Sequence, residues 1–259
     1  MCSMYTNVLI PMRISTVAAF GGGQSSGAVA GSASATTRIK SITSTSTILH
    51  AEKTACLGMG CFWKPSETML SVPGVTSTMA GYTGKSDATK APTYSDVCYS
   101  RDWVEAVRIT YDDEKITFPE LLDAYFESQE AKLGSRQYAP IIFATEPEQM
   151  AESQTWLTNA REEERCGKGG IPALAVTVEP APKFFKAEGY HQKFWQKNRP
   201  RFAFGFVLLA IASGALDSVI PNADIARKVV TVANYAFLIG ALALQAERWI
   251  DKDVVEVPV

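Results

Sequence analysis

Residues 56–67 read Cys56-Leu57-Gly58-Met59-Gly60-Cys61-Phe62-Trp63-Lys64-Pro65-Ser66-Glu67, in which a short apolar run meets a glycine and then a cysteine. This order predicts a strand that enters a helix through a tight turn at Gly60, because glycine allows the backbone to bend sharply. Cys61 would then lie at the helix N-terminus, where unpaired N–H groups favour negative charge, so we expect a lowered pKa and a reactive thiolate. The alternative is a buried, inert cysteine packed beside Phe62 and Trp63.

Length and charge place the chain among globular proteins of ordinary size. Its 259 residues carry a formal net charge of -2, which suits one domain with appendages and argues against a nucleic acid partner. Its five cysteines are an odd number and are widely spaced, so they do not predict an extracellular disulfide framework. Only two histidines, His50 and His191, are present, and we therefore expect no metal site. One reactive thiol in a reducing compartment fits this composition better.

The first 51 residues have the composition of a targeting leader. They contain no Asp or Glu, and their only Lys and Arg residues are Arg13, Arg38 and Lys40 among many Ser, Thr, Ala and Gly. Such a segment buries too little apolar surface to fold. An acid-poor, hydroxyl-rich N-terminus predicts an organelle transit peptide over residues 1–51, with a plastid favoured over a mitochondrion. A plain disordered tail is the alternative.

Residues 52–200 alternate between strand-like and helix-like segments, and this mixture predicts an α+β two-layer sandwich with a mixed sheet. Strands are expected over 54–57, 75–82, 104–111, 141–144 and 173–178. Helices are expected over 61–70 and 146–165, with a final helical or irregular segment over 184–198. A further helix should begin near Thr117, because Phe118, Leu121, Leu122, Tyr125 and Phe126 recur at helical spacing as a core stripe.

Two uncharged runs, 202–216 and 229–244, give residues 201–259 a different character. They predict a hydrophobic helical hairpin. Each run is shorter than the ~20 residues that span a bilayer, but tilt and long basic side chains at the ends can make up the difference. A membrane anchor through residues 202–244 is one interpretation, and a soluble hairpin docked on the domain is the other.

Seven short motifs, in this order, make residues 57–195 resemble the A-type peptide methionine sulfoxide reductases. The motifs are Gly60-Cys61-Phe62-Trp63, Pro73-Gly74-Val75, Ala80-Gly81-Tyr82, Pro92-Thr93-Tyr94-Ser95-Asp96-Val97-Cys98, Glu105-Ala106-Val107-Arg108, Gln137-Tyr138 and Ala187-Glu188-Gly189-Tyr190-His191-Gln192. The resemblance implies a sandwich with a ferredoxin-like core. It also implies the thiol-dependent reduction of methionine-S-sulfoxide, protein-bound or free, without a cofactor or metal.

The same resemblance implies a role for each site residue. Cys61 would attack the sulfoxide sulfur, and Asp96 would be the acid that protonates the oxygen, on which charge develops. The phenols of Tyr82 and Tyr138 would assist the acid. The S-methyl group would lie in an apolar pocket formed by Phe62 and Trp63. The products would be methionine and a sulfenic acid on Cys61.

A second thiol must then condense with the sulfenic acid before the enzyme can act again. No cysteine follows Cys166, so Cys166, in a glycine-rich loop, is the better candidate for this resolving role, and Cys56 is the other. Thioredoxin would then reduce the disulfide. Direct reduction by glutathione and glutaredoxin is a further route.

Two departures from the family pattern put the details of the site in question. Lys64 stands where the family has glycine, and the loop over 128–140 is shortened. The family's assisting Asp has no counterpart near Leu133, and Arg136 is a candidate to replace it as a donor. These departures keep other hypotheses open: a thiol enzyme with shifted substrate preference, an inactive membrane-anchored binding protein, and a hydrolase that uses Cys61 with His191.

Overall fold

The computed structural model of the protein describes residues 52–213 and 222–258. The predicted leader over residues 1–51 lies outside these ranges. The helices are α1 (Trp63–Leu70), α2 (Tyr94–Tyr99), α3 (Phe118–Ser128), α4 (Pro147–Glu162), α5 (Phe194–Ala212) and α6 (Ala223–Ile250). The strands are β1 (Glu52–Met59), β2 (Val75–Thr83), β3 (Val104–Asp112), β4 (Pro140–Ala144), β5 (Thr177–Pro180), β6 (Phe184–Lys186) and β7 (Val255–Val257).

The strands form one mixed sheet in the order β5-β4-β1-β3-β2-β6-β7. Strands β4 and β5 are parallel, and the other neighbouring strands pair antiparallel. The four inner strands, β4-β1-β3-β2, are connected through α1 and α3 in the split βαβ pattern of the ferredoxin-like fold. The predicted α+β sandwich with a ferredoxin-like core is therefore confirmed.

The helix layer covers one face of the sheet, and the alternation of side chains along the strands explains which residues meet it. On β3, Val107, Ile109 and Tyr111 are buried in the same cluster as the core residues of the helices. The opposite face buries a second cluster, which contains Cys56, Val104, Ala106, Ile141, Phe143 and Phe184. The odd-numbered residues of β3, from Glu105 to Tyr111, therefore face the helix layer.

Two helices begin with reciprocal capping boxes, in which a Thr side chain and an acid three residues later satisfy each other's backbone N–H groups. Thr93 and Asp96 cap α2, and Thr117 and Glu120 cap α3. Pro119 lies in the first turn of α3, where its missing N–H costs no hydrogen bond. The predicted core stripe of α3 is confirmed, because its five apolar residues are buried.

The C-terminal region differs from the predicted separate hairpin over 201–259. Helix α5 begins at Phe194, inside the predicted domain, and continues through Pro200. Helix α6 packs against α5, and Arg201 and Glu247 join the two with a 2.7 Å ion pair. Beyond α6, strand β7 pairs with β6 and extends the sheet, so the end of the chain returns to the folded domain.

Within the part of the chain that the structure describes, one helical segment, Lys228–Ile250, is long and apolar enough to cross a membrane, with a mean hydropathy of 1.7. Only 6% of its apolar window is buried within the protein. Large apolar side chains on both helices are more than half exposed, among them Phe204, Phe206, Val232, Phe237 and Leu242. The hairpin therefore presents an extensive apolar surface.

Candidate active site

The turn between β1 and α1 sets the position of Cys61. Gly60 has a φ of +81°, in the left-handed region that glycine adopts without strain. A Cβ at this position would also overlap the carbonyl group of Glu130, whose N–H donates to the carbonyl of Met59 at 2.7 Å. Close backbone contact and the turn conformation both require glycine here, and together they place the half-buried Cys61 directly before Phe62, the N-cap of α1.

The resting thiol of Cys61 does not have the lowered pKa that its position before a helix predicts. Burial raises the pKa above its ordinary value, and the Glu105 and Glu130 carboxylates raise it further. The N–H of Trp63 and the Lys132 ammonium act in the opposite direction, but burial has the larger effect. Cys61 is therefore a protonated thiol at rest, and any reaction that needs its thiolate must first remove this proton.

Glu105 provides a buried acceptor beside that thiol. It lies on β3, on the face towards the helix layer, and is 2% exposed. One carboxylate oxygen accepts from the backbone N–H of Phe62 at 3.2 Å, and the other accepts from the side chain of Gln137 at 2.8 Å. Burial raises the pKa of Glu105 to about 7, although both hydrogen bonds oppose this shift. This carboxyl can therefore hold or release a proton near neutral pH.

Two phenols share this environment. Burial and the nearby charge of Glu105 raise the pKa of Tyr138 to about 12, with smaller effects of Cys61 and Cys98. The pKa of Tyr94 is raised by burial, by Cys98, by Glu105 and by Tyr138. Both hydroxyls therefore keep their protons at neutral pH, and that of Tyr94 is hydrogen-bonded to the side chain of Cys98.

Tyr82, the other tyrosine predicted for the site, is placed differently. It is fully buried, and its hydroxyl donates to the Glu188 carboxylate at 2.8 Å. Its ring lies beneath Phe62, with the ring centroids 5.7 Å apart. Because the only proton of this hydroxyl is already engaged, the geometry gives Tyr82 a supporting position.

Asp96 is also placed away from its predicted role as the acid. Its carboxylate caps α2 by accepting from the N–H and the hydroxyl of Thr93, at 2.8 and 2.9 Å. These hydrogen bonds lower the pKa of Asp96, which is fully exposed to solvent. A solvated carboxylate that is ionised and holds a helix cap has no proton to donate at neutral pH, so this geometry contradicts the prediction.

An aromatic wall adjoins Cys61 and contains both residues predicted for the methyl pocket. Phe62 is 1% exposed, and Trp63 is partly buried. Trp63 stacks on Phe194 with the rings nearly parallel and 3.8 Å apart, and its indole N–H donates to Nδ1 of His191 at 2.8 Å. The wall is therefore rigid on the side of Trp63. The substrate-binding role of the pair stays a prediction.

The two predicted resolving cysteines lie in different environments. Cys56 is 1% exposed on the face of the sheet opposite the helix layer, and burial raises its pKa to about 12. A thiol that is protonated and separated from Cys61 by the sheet cannot condense with it, so the structure contradicts this assignment. Cys166 lies in the exposed loop after α4, and its sulfur is already in a disulfide bond, so it is not a thiol that could condense with Cys61 in this structure. The ammonium of Lys168 in this loop lies 3.2 Å from Glu130, at the edge of the site.

The shortened loop over 128–140 is fixed by charge pairs. Arg136 makes a bidentate ion pair with Glu179 at 2.7 and 2.8 Å, so it is not the compensating donor that the sequence suggested. Lys132 lies over the ring of Tyr138, 5.1 Å from its centroid, and its charge acts on both Cys61 and Glu105. Within residues 52–213 and 222–258, no group of three His, Cys, Asp or Glu side chains could hold a metal ion.

Comparison with known proteins agrees with this arrangement. The family model for peptide methionine sulfoxide reductase matches residues 53–207. The chain belongs to this family. The peptide methionine sulfoxide reductase MsrA of Methylococcus capsulatus is 38% identical over 153 residues, which are 54% of this chain and 65% of that relative.

Two further relatives are matched over a larger share of their own length. The MsrA of Methanoculleus marisnigri is 34% identical over 151 residues, which are 55% of this chain and 88% of the relative. The solved structure of methionine sulfoxide reductase A from Corynebacterium diphtheriae superposes with a TM-score of 0.50 and 25% identity, over 57% of this chain and 76% of that one. The family model ends at residue 207, so the end of α5 and all of α6 and β7 lie beyond it.

Proposed function

We propose that the protein reduces methionine-S-sulfoxide, protein-bound or free, to methionine, with Cys61 as the nucleophile and Glu105 as the acid. Membership of the family supports the reaction class. The observation that carries the residue assignment is the buried Glu105 carboxyl, which has a pKa of about 7 and accepts a hydrogen bond from Phe62, the residue next to Cys61.

The acid and the thiol share one proton in the working enzyme. Above pH ~7 and below the raised pKa of Cys61, the pair holds a single proton, which rests on the thiol. Its transfer to Glu105 creates the thiolate and the protonated acid together. The neutral Glu105 then no longer disfavours the negative charge on Cys61, so the two changes support each other.

The reaction is balanced by this one proton. The Cys61 thiolate attacks the sulfoxide sulfur, while Glu105 gives its proton to the sulfoxide oxygen. The oxygen leaves the substrate sulfur as hydroxyl and ends on the sulfur of Cys61, which becomes a sulfenic acid. Two electrons pass from the cysteine sulfur to the substrate sulfur. Hydrogen bonds from the hydroxyls of Tyr94 and Tyr138 stabilise the charge that develops on the oxygen.

The exchange of Glu105 for glutamine tests the acid. Loss of a positioned acid typically costs about 10²–10⁴-fold in rate, so Glu105→Gln should lower kcat/KM for a defined S-sulfoxide peptide by that factor. In the native protein kcat/KM should fall tenfold per pH unit below about 7, because both groups are then protonated and the thiolate is lost. In Glu105→Gln the break near pH 7 should disappear.

Asp96→Asn is the matched control, because it likewise replaces a carboxylate by its amide. It should keep kcat/KM within about threefold of the native value, since the exposed Asp96 caps α2 and takes no part in the proposed reaction. Cys61→Ser should abolish turnover. A large loss in Asp96→Asn with full activity in Glu105→Gln would contradict the assignment.

For recycling, we propose that an external thiol acts on Cys61: glutathione condenses with the sulfenic acid, with loss of water, and glutaredoxin then restores the thiol. Neither candidate resolving cysteine supports an internal route, because Cys166 is already disulfide-bonded and Cys56 lies on the other face of the sheet. Cys166→Ser and Cys56→Ser should therefore each keep the native turnover with glutathione and glutaredoxin. Loss of turnover in Cys166→Ser, with single-turnover methionine formation retained, would contradict this route and would favour Cys166 as the resolving cysteine with thioredoxin as the reductant.

We further propose that residues 1–51 direct the chain to a plastid and that residues 202–244 anchor it in a membrane there. The acid-free leader and the exposed apolar helices support these two steps. In fractionated plastid-containing cells the full chain should be found in plastids rather than mitochondria, and it should remain in the pellet after alkaline carbonate extraction. Recovery in the mitochondrial fraction would contradict plastid targeting, and release into the supernatant would contradict membrane anchoring.

A further inference from the structure

His191 contacts the aromatic wall formed by Phe62 and Trp63. Its Nδ1 accepts the indole N–H of Trp63, so the ring proton lies on Nε2. Its ring lies 5.2 Å from that of Phe62 and 5.5 Å from that of Tyr94, and it is 3% exposed. The orientation of Trp63 therefore depends on where the backbone places His191.

The backbone at His191 is a single 3₁₀ turn, Gly189–His191, and the end of the chain holds it in place. The N–H of Gly189 donates to the carbonyl of Asp251 at 3.0 Å. The Arg248 guanidinium lies over the ring of Tyr190, 5.4 Å from its centroid. Three residues before the turn, strand β6 pairs with β7. Residues 247–257, called here the C-terminal segment, thus contact the turn and the strand that precedes it.

The Asp251 side chain fills the space beside Gly189. A Cβ added at Gly189 would overlap the Asp251 carboxylate. Burial lowers the pKa of His191 to about 4, and the positive charge of Arg248 in the segment acts in the same direction. A neutral His191 keeps Nδ1 free to accept from Trp63, whereas a protonated ring would have two donors and no acceptor.

We propose that the C-terminal segment supports the substrate pocket: Arg248 and the backbone carbonyl of Asp251 hold the Gly189–His191 turn in position, and through His191 they set the Trp63 wall that selects an S-methyl group. The proposal rests on the reductase activity proposed above. The segment lies beyond residue 207, where the family model ends. The pocket of this protein is therefore completed by a part of the chain outside the matched domain.

The expected signature is a loss of discrimination between alkyl groups on the sulfoxide sulfur. An apolar pocket that fits one methyl distinguishes it from a group one methylene larger by about 10-fold or more. A loosened wall would accept both groups. General destabilisation would lower activity towards both and leave their ratio unchanged, so the ratio of kcat/KM for methionine sulfoxide over ethionine sulfoxide separates positioning from stability.

Gly189→Ala, made in the full chain, is the direct test. The added methyl overlaps the Asp251 carboxylate, and hydrogen exchange at the amides of Val255–Val257 reports whether this displaces the C-terminal segment or only turns the Asp251 side chain away. The methyl-to-ethyl ratio should fall to about twofold, mainly through a raised KM for the methyl substrate. The native chain must first turn over methionine sulfoxide; if it does not, the proposed function itself fails.

Gly189→Ala/Asp251→Gly is the matched control, because it removes the side chain that the new methyl would overlap. The contact from Gly189 to the Asp251 carbonyl uses only backbone atoms, so the double variant should recover docking and the native ratio. A chain that ends at Gln245 removes the segment outright and tests the proposal if Gly189→Ala fails to fold or stays docked. Two results overturn the proposal. One is an unchanged methyl-to-ethyl ratio in a folded variant whose C-terminal segment is displaced or removed. The other is a lowered ratio in Gly189→Ala that the double variant does not restore.

Discussion

The burial of the Glu105 carboxyl group, which lies on β3 beside the start of α1, is the constraint on which the site depends. Glu105 accepts from the N–H of Phe62 and from Gln137, and it thereby joins β3, the turn after Cys61 and the shortened loop. Two hydrogen bonds do not fully replace the water that the carboxylate loses, so its pKa rises to about 7. The same burial raises the pKa of Cys61. Two groups that both resist charge can exchange one proton at little cost, and this makes the proposed reaction possible near neutral pH.

The parts of the fold that follow from local pattern were predictable. The strand, turn and helix around Cys61 follow from an apolar run and a glycine, and the stripe on α3 follows from helical spacing. The order of the motifs then indicated the family, and the family resemblance implied the ferredoxin-like core. Strand β7 was not predictable in the same way, because three residues with little hydrophobic pattern become a strand only when β6 offers them an unpaired edge.

The identity of the acid shows why motifs alone were insufficient for the site. Asp96 and Glu105 both lie in motifs, and sequence order cannot say which of them faces the thiol. Two signals in the sequence favoured Glu105. Thr93 and Asp96 have the spacing of a capping box, which engages the acid locally. Glu105 also alternates in register with Val107 and Ile109, so a strand that buries those two buries the carboxyl as well. Packing in three dimensions then decides the pKa.

Direct observation of the Glu105 carboxyl tests this account most closely. In the full chain, the infrared C=O stretch of a protonated carboxyl can be followed against pH and assigned by its absence in Glu105→Gln. The account predicts that this band titrates with a midpoint of about 7 and that the midpoint shifts when Cys61 is replaced by serine. A midpoint at the ordinary value for glutamate, about 4.3, would mean that the group is fully ionised at neutral pH, and it would contradict the shared proton at the centre of the mechanism.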